Sequence, residues 1–280
     1  MDHQELTTQI QAFLAEDIGQ GDITSEAIFP PDQLGHAQFI AKEAFLVCGM
    51  EKVALAVFQV RNPEITSNHA LPDGHLVRSD DVLLTLTGPV LDLLAAERVA
   101  LNLAQRLCGV ATNTARFVEK VKDLSVRIVD TRKTTPGLRM LEKYAVRVGG
   151  GFNHRFNLAD AVLIKDNHIA ACGSISGAVA KIRSNVPHTM KIEVEAETLQ
   201  QVEECLASKV DIIMLDNMDL DSMREAVKLV NGKALVEASG GITLENVRQV
   251  AETGVDVISI GALTHSAVAC DISMQITAHH

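Results

Sequence analysis

Aromatic residues are scarce in this chain of 280 residues, and tryptophan is absent. Aromatics make up 3% of the sequence, so the stacking platforms of single-stranded nucleic-acid binders are excluded. No apolar run approaches the roughly 18 residues that a membrane-spanning helix needs. The opening stretch MDHQELTTQIQ is polar, so we expect no secretory signal there.

Cysteines are few, and no two of them form a C-x-x-C pair. The five residues are scattered along the chain: Cys48, Cys108, Cys172, Cys205 and Cys270. Disulfide frameworks and zinc sites need more regular spacing. We therefore expect reduced thiols and a cytoplasmic location.

Two common phosphate-binding motifs are also missing. Neither the G-x-x-x-x-G-K-[ST] loop nor the G-x-G-x-x-G fingerprint occurs, so a P-loop or Rossmann domain is not supported. The acidic turn at 16–24 lacks the spacing of an EF-hand calcium loop. Any phosphate site must therefore be built differently.

One basic segment stands out in a globular composition with 22% charged residues and a net charge of −11. Between Thr131 and Lys165 seven basic residues accompany two acids. The basic residues are Arg132, Lys133, Arg139, Lys143, Arg147, Arg155 and Lys165. A local excess of positive charge in an acidic protein favours a small anionic substrate. A nucleic-acid partner would require a broader basic surface.

After residue 123 short apolar segments recur at regular intervals, with helical patterns between them. We predict six strands, at 125–129, 161–164, 190–194, 211–215, 234–236 and 256–260. Polar residues follow each strand, as they do at the active-site face of a parallel α/β barrel. The sequence thus predicts a C-terminal parallel α/β barrel of six to seven strands, covering residues 109–268.

The first hundred residues mix helices and strands without a repeat, which predicts an α+β domain. We predict helices at 4–17 and 50–60 and strands at 36–47 and 82–87. A long helical region follows at 90–122, and we expect Gly109 to permit a break at the domain boundary. The N-terminal α+β domain is predicted to cover 1–108, with residues 269–280 returning to it.

Two groups of residues at the predicted strand ends indicate ligand chemistry. Ser239, Gly240, Gly241 and Gly261 follow the last two strands, where barrels commonly bind phosphate. Glu195 and Asp216 end neighbouring strands, and two carboxylates suit either Mg²⁺ or general acid-base chemistry.

The segments DTRKTTPGLR, LEKYAV, GGG-N-HR and KDNH resemble the signature of the quinolinate phosphoribosyltransferase family, the carboxylating nicotinate-nucleotide pyrophosphorylases. The resemblance implies transfer of phosphoribosyl from 5-phosphoribosyl 1-diphosphate to quinolinate with decarboxylation. The products would be nicotinate mononucleotide, diphosphate and CO₂, in de novo NAD biosynthesis. It also implies a seven-stranded barrel, of which we count six strands.

The resemblance assigns roles to individual residues. Catalytic roles fall to Lys133, Lys165, Glu195 and Asp216, and the last two would hold Mg²⁺, directly or through water. Substrate binding falls to these four together with Arg98, Arg132, His154, Arg155, Ser239, Gly240, Gly241 and Gly261. The family forms a homodimer, in which Arg98 would reach the partner's quinolinate, and a higher oligomer is compatible with it. Cys108 departs from the family's usual serine, which places one local hydrogen bond in doubt.

Three other functions are compatible with the sequence. A lone lysine at a strand end, Lys165, also suits a barrel lyase or aldolase that forms a Schiff base. A paralogue with another acceptor and a non-enzymatic nucleotide sensor are the remaining alternatives.

Overall fold

The computed structural model describes residues 3–278. The chain forms two compact units: Met1–Ala115 with Thr135–Gly150 and Ala267–His280, and Arg116–Thr134 with Gly151–Ser266. Residues 1, 2, 279 and 280, which the predicted N-terminal domain includes, lie outside the described range. The compactness of these two units does not show that either folds independently. The predicted domain ranges therefore stay predictions.

The first unit contains helices and short antiparallel strands in irregular order, as the sequence predicts. Its elements are α1 (His3–Ile18), α2 (Ile23–Ile28), β1 (Leu34–Ala41), β2 (Phe45–Leu46), a π-helical turn (Met50–Ala54), α3 (Leu55–Arg61), β3 (Thr66–Ala70), β4 (Leu76–Val77), β5 (Val82–Pro89), most of α4 (Val90–Val121), α5 (Arg139–Val148) and β12 (Ile272–Ala278).

The main sheet of this unit joins β12 to strands of the first hundred residues. Its strand order is β12-β1-β5-β3, and β12 pairs antiparallel with β1. Alternate residues of β1 face the core, where Phe39 meets Phe58 edge-on with ring centroids 5.9 Å apart. The last residues therefore return to the N-terminal sheet, as the resemblance implies.

The long helix α4 is continuous, so the break expected at Gly109 is absent. Gly109 is buried, and a Cβ there would lie 2.0 Å from the carbonyl oxygen of Val268. The glycine is needed because another backbone segment passes against the helix. Sequence reasoning confused a close approach with a helix break because glycine serves both.

A buried ion pair in the first unit fixes the segment that follows the Asp130–Thr134 loop. The carboxylate of Glu142 accepts hydrogen bonds from Arg106 Nη2 at 2.8 Å and from the Thr135 hydroxyl at 2.8 Å. Glu142 has no exposed surface, so this network anchors Thr135 firmly.

The second unit is a parallel sheet with a helix after most of its strands. Its elements are β6 (Arg127–Val129), β7 (Val162–Ile164), α6 (Asp166–Cys172), α7 (Ile175–Asn185), β8 (Ile192–Ala196), α8 (Leu199–Ala207), β9 (Ile212–Asp216), α9 (Leu220–Val230), β10 (Leu235–Ser239), α10 (Val247–Ala251), β11 (Val257–Ser259) and α11 (Ala262–His265). The order β6-β11-β10-β9-β8-β7 confirms all six predicted strands.

A seventh strand position is reduced to one residue, Phe152. It forms a parallel bridge with Val129, donates its N–H to the Ile128 carbonyl and accepts the Asp130 N–H. Within residues 3–278 no ladder joins β7 to Phe152, so closure of the sheet into a barrel stays a prediction. Among the helices in that same range, none combines the length and apolarity needed to cross a membrane.

Replacing Gly109 with Ala should destabilise the first unit, although alanine favours helices. The added methyl would overlap the Val268 carbonyl, and overpacking of this kind costs roughly 2 kcal/mol. Chemical denaturation measures the change in unfolding free energy. Asn102→Ala, at an exposed site on the same helix, is the control and should be neutral or slightly stabilising. An unchanged stability of Gly109→Ala would contradict the close approach.

Candidate active site

The register of the parallel strands places the predicted strand-end residues on one face. Ser239 pairs with Asp216 on one side and with Ser259 on the other. Glu195 pairs with Met214, two residues before Asp216. Since residues two apart in a strand share a face, Glu195, Asp216 and Ser239 lie together at the carboxyl edge.

The segment that carries His154 and Arg155 is held by Asp130, a residue to which the sequence analysis gives no role. Asp130 has no exposed surface, and its carboxylate accepts hydrogen bonds from Asn153 Nδ2 at 2.6 Å and from the His154 N–H at 2.9 Å. An acid directly after an apolar strand was the available signal. Asp130 supports the site although its side chain does not face the solvent.

Lys133 and Gly261 come together, as the predicted phosphate site requires. The Lys133 carbonyl accepts a hydrogen bond from the Thr264 hydroxyl at 2.8 Å. A Cβ at Gly261 would lie 3.0 Å from Lys133 Cδ and 3.1 Å from the His265 ring. Glycine at this position thus leaves room for both side chains.

The guanidinium of Arg155 is held at one end and lies near a second arginine. Its Nη1 donates to the Ala161 carbonyl at 3.0 Å. Burial lowers the pKa of Arg155, and the neighbouring charge of Arg132 lowers it further. Two cations placed this close favour an anion that can bind both.

Lys165 and Glu195, which the resemblance assigns to one site with different roles, form an ion pair between Nζ and Oε1. The lysine side chain is 42% exposed and the glutamate 11% exposed. The partly exposed ammonium can turn toward a ligand, whereas the carboxylate is held in the sheet face.

Ser239-Gly240-Gly241 forms a backbone turn whose conformation favours glycine. Gly240 has φ +92° and Gly241 has φ +61°, both in the left-handed region. A Cβ on Gly240 would lie 2.1 Å from Asn217 Oδ1. The turn borders a cavity of about 630 Å³ in the same unit.

The predicted Mg²⁺ ligands offer donors of the right kind. Glu195 and Asp216 lie on adjacent strands and supply carboxylate oxygens, which Mg²⁺ prefers. Asp216 is half-buried, and within the described part of the chain its carboxylate has no hydrogen-bond or ion-pair partner. The pair therefore fits a magnesium ion that also binds substrate oxygens and water.

His154 directs its ring toward the sheet interior. Its Nδ1 accepts the Arg155 N–H at 2.8 Å, and its Nε2 lies 3.2 Å from Glu193 Oε2. Both ring nitrogens therefore face protein atoms. The predicted contact of His154 with substrate stays a prediction.

Two predicted features lie in the first unit. Arg98 is exposed on α4. At Cys108 the thiol retains the local contacts: its sulfur accepts the Cys48 N–H at 3.3 Å and donates to the Cys48 carbonyl at 3.7 Å. Cysteine in place of the family's serine thus still provides a donor and an acceptor.

Family models match almost the whole chain. The C-terminal domain of quinolinate phosphoribosyl transferase matches residues 110–275, and the N-terminal domain matches residues 22–108. A probable carboxylating nicotinate-nucleotide pyrophosphorylase of Bacillus subtilis is 47% identical over 277 residues, covering 99% of this chain and 95% of the relative. The carboxylating nicotinate-nucleotide pyrophosphorylase of Mycobacterium leprae is 40% identical over 274 residues, covering 95% of each chain.

Solved structures agree with these matches. NadC from Streptococcus pyogenes has a TM-score of 0.95 at 42% identity, covering 100% of this chain and 99% of that one. Nicotinate-nucleotide pyrophosphorylase from Ehrlichia chaffeensis has a TM-score of 0.92 at 41% identity and covers 99% of both chains. The resemblance drawn from the sequence is confirmed: the chain belongs to the quinolinate phosphoribosyl transferase family.

Proposed function

We propose that this protein is a decarboxylating quinolinate phosphoribosyltransferase. It transfers phosphoribosyl from 5-phosphoribosyl 1-diphosphate to quinolinate and releases diphosphate and CO₂, which yields nicotinate mononucleotide for NAD biosynthesis. The observation that carries this proposal is the gathering of basic groups in one unit: Lys165 pairs with Glu195, and Lys133 lies beside Gly261. The charge of Arg132 also acts on Arg155 in the same unit. A dicarboxylate and a diphosphate are the ligands that such a set of charges suits.

The acceptor binds through its two carboxylates. Arg132 and Arg155 pair with them, because a guanidinium can donate two parallel hydrogen bonds to one carboxylate. Lys165 adds a third charge once its ammonium turns from Glu195. His154 stays a predicted contact of the acceptor, and its Nδ1 also supports the backbone of Arg155.

The donor binds through its phosphates. Lys133 lies beside Gly261, and we assign its ammonium to the diphosphate of the donor. The turn at Ser239-Gly240-Gly241 offers backbone without Cβ atoms for the other phosphate. Glu195 and Asp216 would hold Mg²⁺, which supplies charge neutralisation of the diphosphate when bound.

The reaction then needs positioning and charge compensation more than covalent help from the protein. The ring nitrogen of quinolinate attacks C1 of the ribose, and diphosphate leaves toward Lys133. As CO₂ departs, the electron pair of the broken C–C bond stays on C2, where the adjacent pyridinium charge stabilises it, and a proton from solvent then adds to C2. Arg155 and Arg132 hold the dicarboxylate in place through both steps, so no bond to the enzyme forms.

Assembly and location are part of the same proposal. We place the protein in the cytoplasm as a homodimer, which can associate further. The five free cysteines suit a reducing compartment. Exposed Arg98 would enter the acceptor site of the partner subunit, where a closed site strengthens each charge contact.

Release of labelled CO₂ from quinolinate tests the activity. We expect release only with 5-phosphoribosyl 1-diphosphate and Mg²⁺, and loss of release after chelation. Nicotinate in place of quinolinate should give little product, which separates this enzyme from a paralogue with another acceptor. Borohydride trapping of a carbonyl substrate on Lys165, without CO₂ release, would instead support the Schiff-base lyase.

Replacing Lys165 with Ala should weaken quinolinate binding more than donor binding. A lost charge-assisted contact is worth roughly 1.5–3 kcal/mol, or about ten- to a hundredfold in the dissociation constant. Calorimetric titration with each substrate measures the two constants. Lys181→Ala, at an exposed lysine on α7, is the matched control and should change neither. Equal losses for both substrates would contradict the assignment.

Mixing two inactive variants tests Arg98. Arg98→Ala and Lys165→Ala should each have almost no activity. In a randomly exchanged dimer mixture, roughly a quarter of the sites carry neither defect if Arg98 acts across the interface. CO₂ release should then recover to about that level. Verified subunit exchange without recovery would show that Arg98 does not act on the partner's site.

A further inference from the structure

Two buried carboxyl groups next to His154 have no part in the reaction described above. Glu193 on β8 and Glu237 on β10 are each 3% exposed. His154 Nε2 lies 3.2 Å from Glu193 Oε2 and 3.7 Å from Glu237 Oε1. Burying two carboxylates together is costly, so the arrangement calls for a physical explanation.

The tautomer of His154 follows from its surroundings. Nδ1 lies 2.8 Å from the Arg155 nitrogen, whose N–H can only donate, so Nδ1 must accept. The proton of the neutral ring therefore sits on Nε2 and points at Glu193. A doubly protonated ring would set an Nδ1–H against the Arg155 N–H.

His154, Glu193 and Glu237 could instead hold a metal ion. One ligand atom from each of His154, Glu193 and Glu237 lies within 4.8 Å of the others. A metal would need the lone pair of Nε2, which would move the ring proton to Nδ1 and against the Arg155 N–H. The geometry therefore favours a proton network over a metal centre.

Protonation of one carboxyl group lowers the cost of burying the two together. Burial raises the pKa of Glu237 to about 7, and the nearby Glu193 raises it as well. A protonated Glu237 can donate to Glu193, which remains the acceptor for His154. The face of the sheet beneath the site then carries one buried negative charge instead of two.

We propose that Glu193 and Glu237 are positioning residues that act through His154 to fix Arg155 for binding the acceptor. One end of this network holds the Arg155 backbone through Nδ1 of His154. The other end of Arg155 is held by the Ala161 carbonyl. With both ends held, the guanidinium presents a fixed direction to a carboxylate. This inference rests on the proposed binding of quinolinate by Arg155.

Substitutions at Glu237 separate positioning from simple packing. Glu237→Leu removes the donor to Glu193, which should draw a second proton onto His154 and disturb Arg155. Misplacement on the ångström scale can cost up to about a hundredfold, so we expect KM for quinolinate to rise by about tenfold or more. KM for 5-phosphoribosyl 1-diphosphate should stay within about twofold. Glu237→Gln should restore most of the quinolinate affinity, because its amide N–H replaces the carboxyl proton.

The tautomer itself is measurable on the wild-type protein, whether or not quinolinate proves to be the acceptor. Nitrogen-15 NMR of labelled histidine, assigned with His154→Gln, should show Nε2 protonated and Nδ1 unprotonated at neutral pH. This result together with a failed CO₂ assay would reject the proposed function and keep the network. An Nδ1–H tautomer would overturn the network on its own.

Two further results would also overturn the proposal. One is equal behaviour of Glu237→Leu and Glu237→Gln with both KM values raised alike, which would indicate packing only. The other is stoichiometric Mn²⁺ or Zn²⁺ in the purified or metal-dialysed enzyme that is lost in His154→Gln, which would indicate a metal centre. Circular dichroism measures whether each variant is folded. If Glu237→Leu is not folded, the tautomer of His154 in the wild-type protein tests the network instead.

Discussion

The site depends on the balance between clustered cations and the acids that hold them. Burial and the charge of Arg132 lower the pKa of Arg155, and Lys165 pairs with Glu195. Such a cluster would repel itself without carboxylates in the same sheet face. The ligand-free protein therefore supplies its own counter-charges, and an anionic ligand must replace them. This explains why acids and bases share one edge of a single parallel sheet.

The fold makes this balance possible by placing short strands in register. Pairing of Ser239 with Asp216, and of Glu195 with Met214, brings residues distant in sequence to one edge. At the seventh strand position only Phe152 pairs with the sheet. Asp130 orders the segment that follows it by accepting the His154 N–H. Asp130 and Glu142 are buried, and their hydrogen bonds hold the neighbouring loop residues in place. Those residues are therefore better ordered than their solvent exposure suggests.

Most of the architecture and the site could be predicted from the sequence because both depend on local patterns. Apolar runs identified the six strands, and a polar residue after each run identified the active edge. Gly109 was misinterpreted because the contact that requires it comes from Val268, far along the chain. Glu193 and Glu237 were missed as a pair for the same reason: each looks like an ordinary strand residue until His154 joins them. Contacts between distant segments leave no periodic signal in the sequence.

The most direct test of this account is a crystal structure of the protein with quinolinate bound. The account predicts that the two carboxylates of quinolinate lie against Arg155 and Arg132, and that Lys165 has left Glu195 to contact the ligand. An intact Lys165–Glu195 pair, with quinolinate bound away from both arginines, would contradict it.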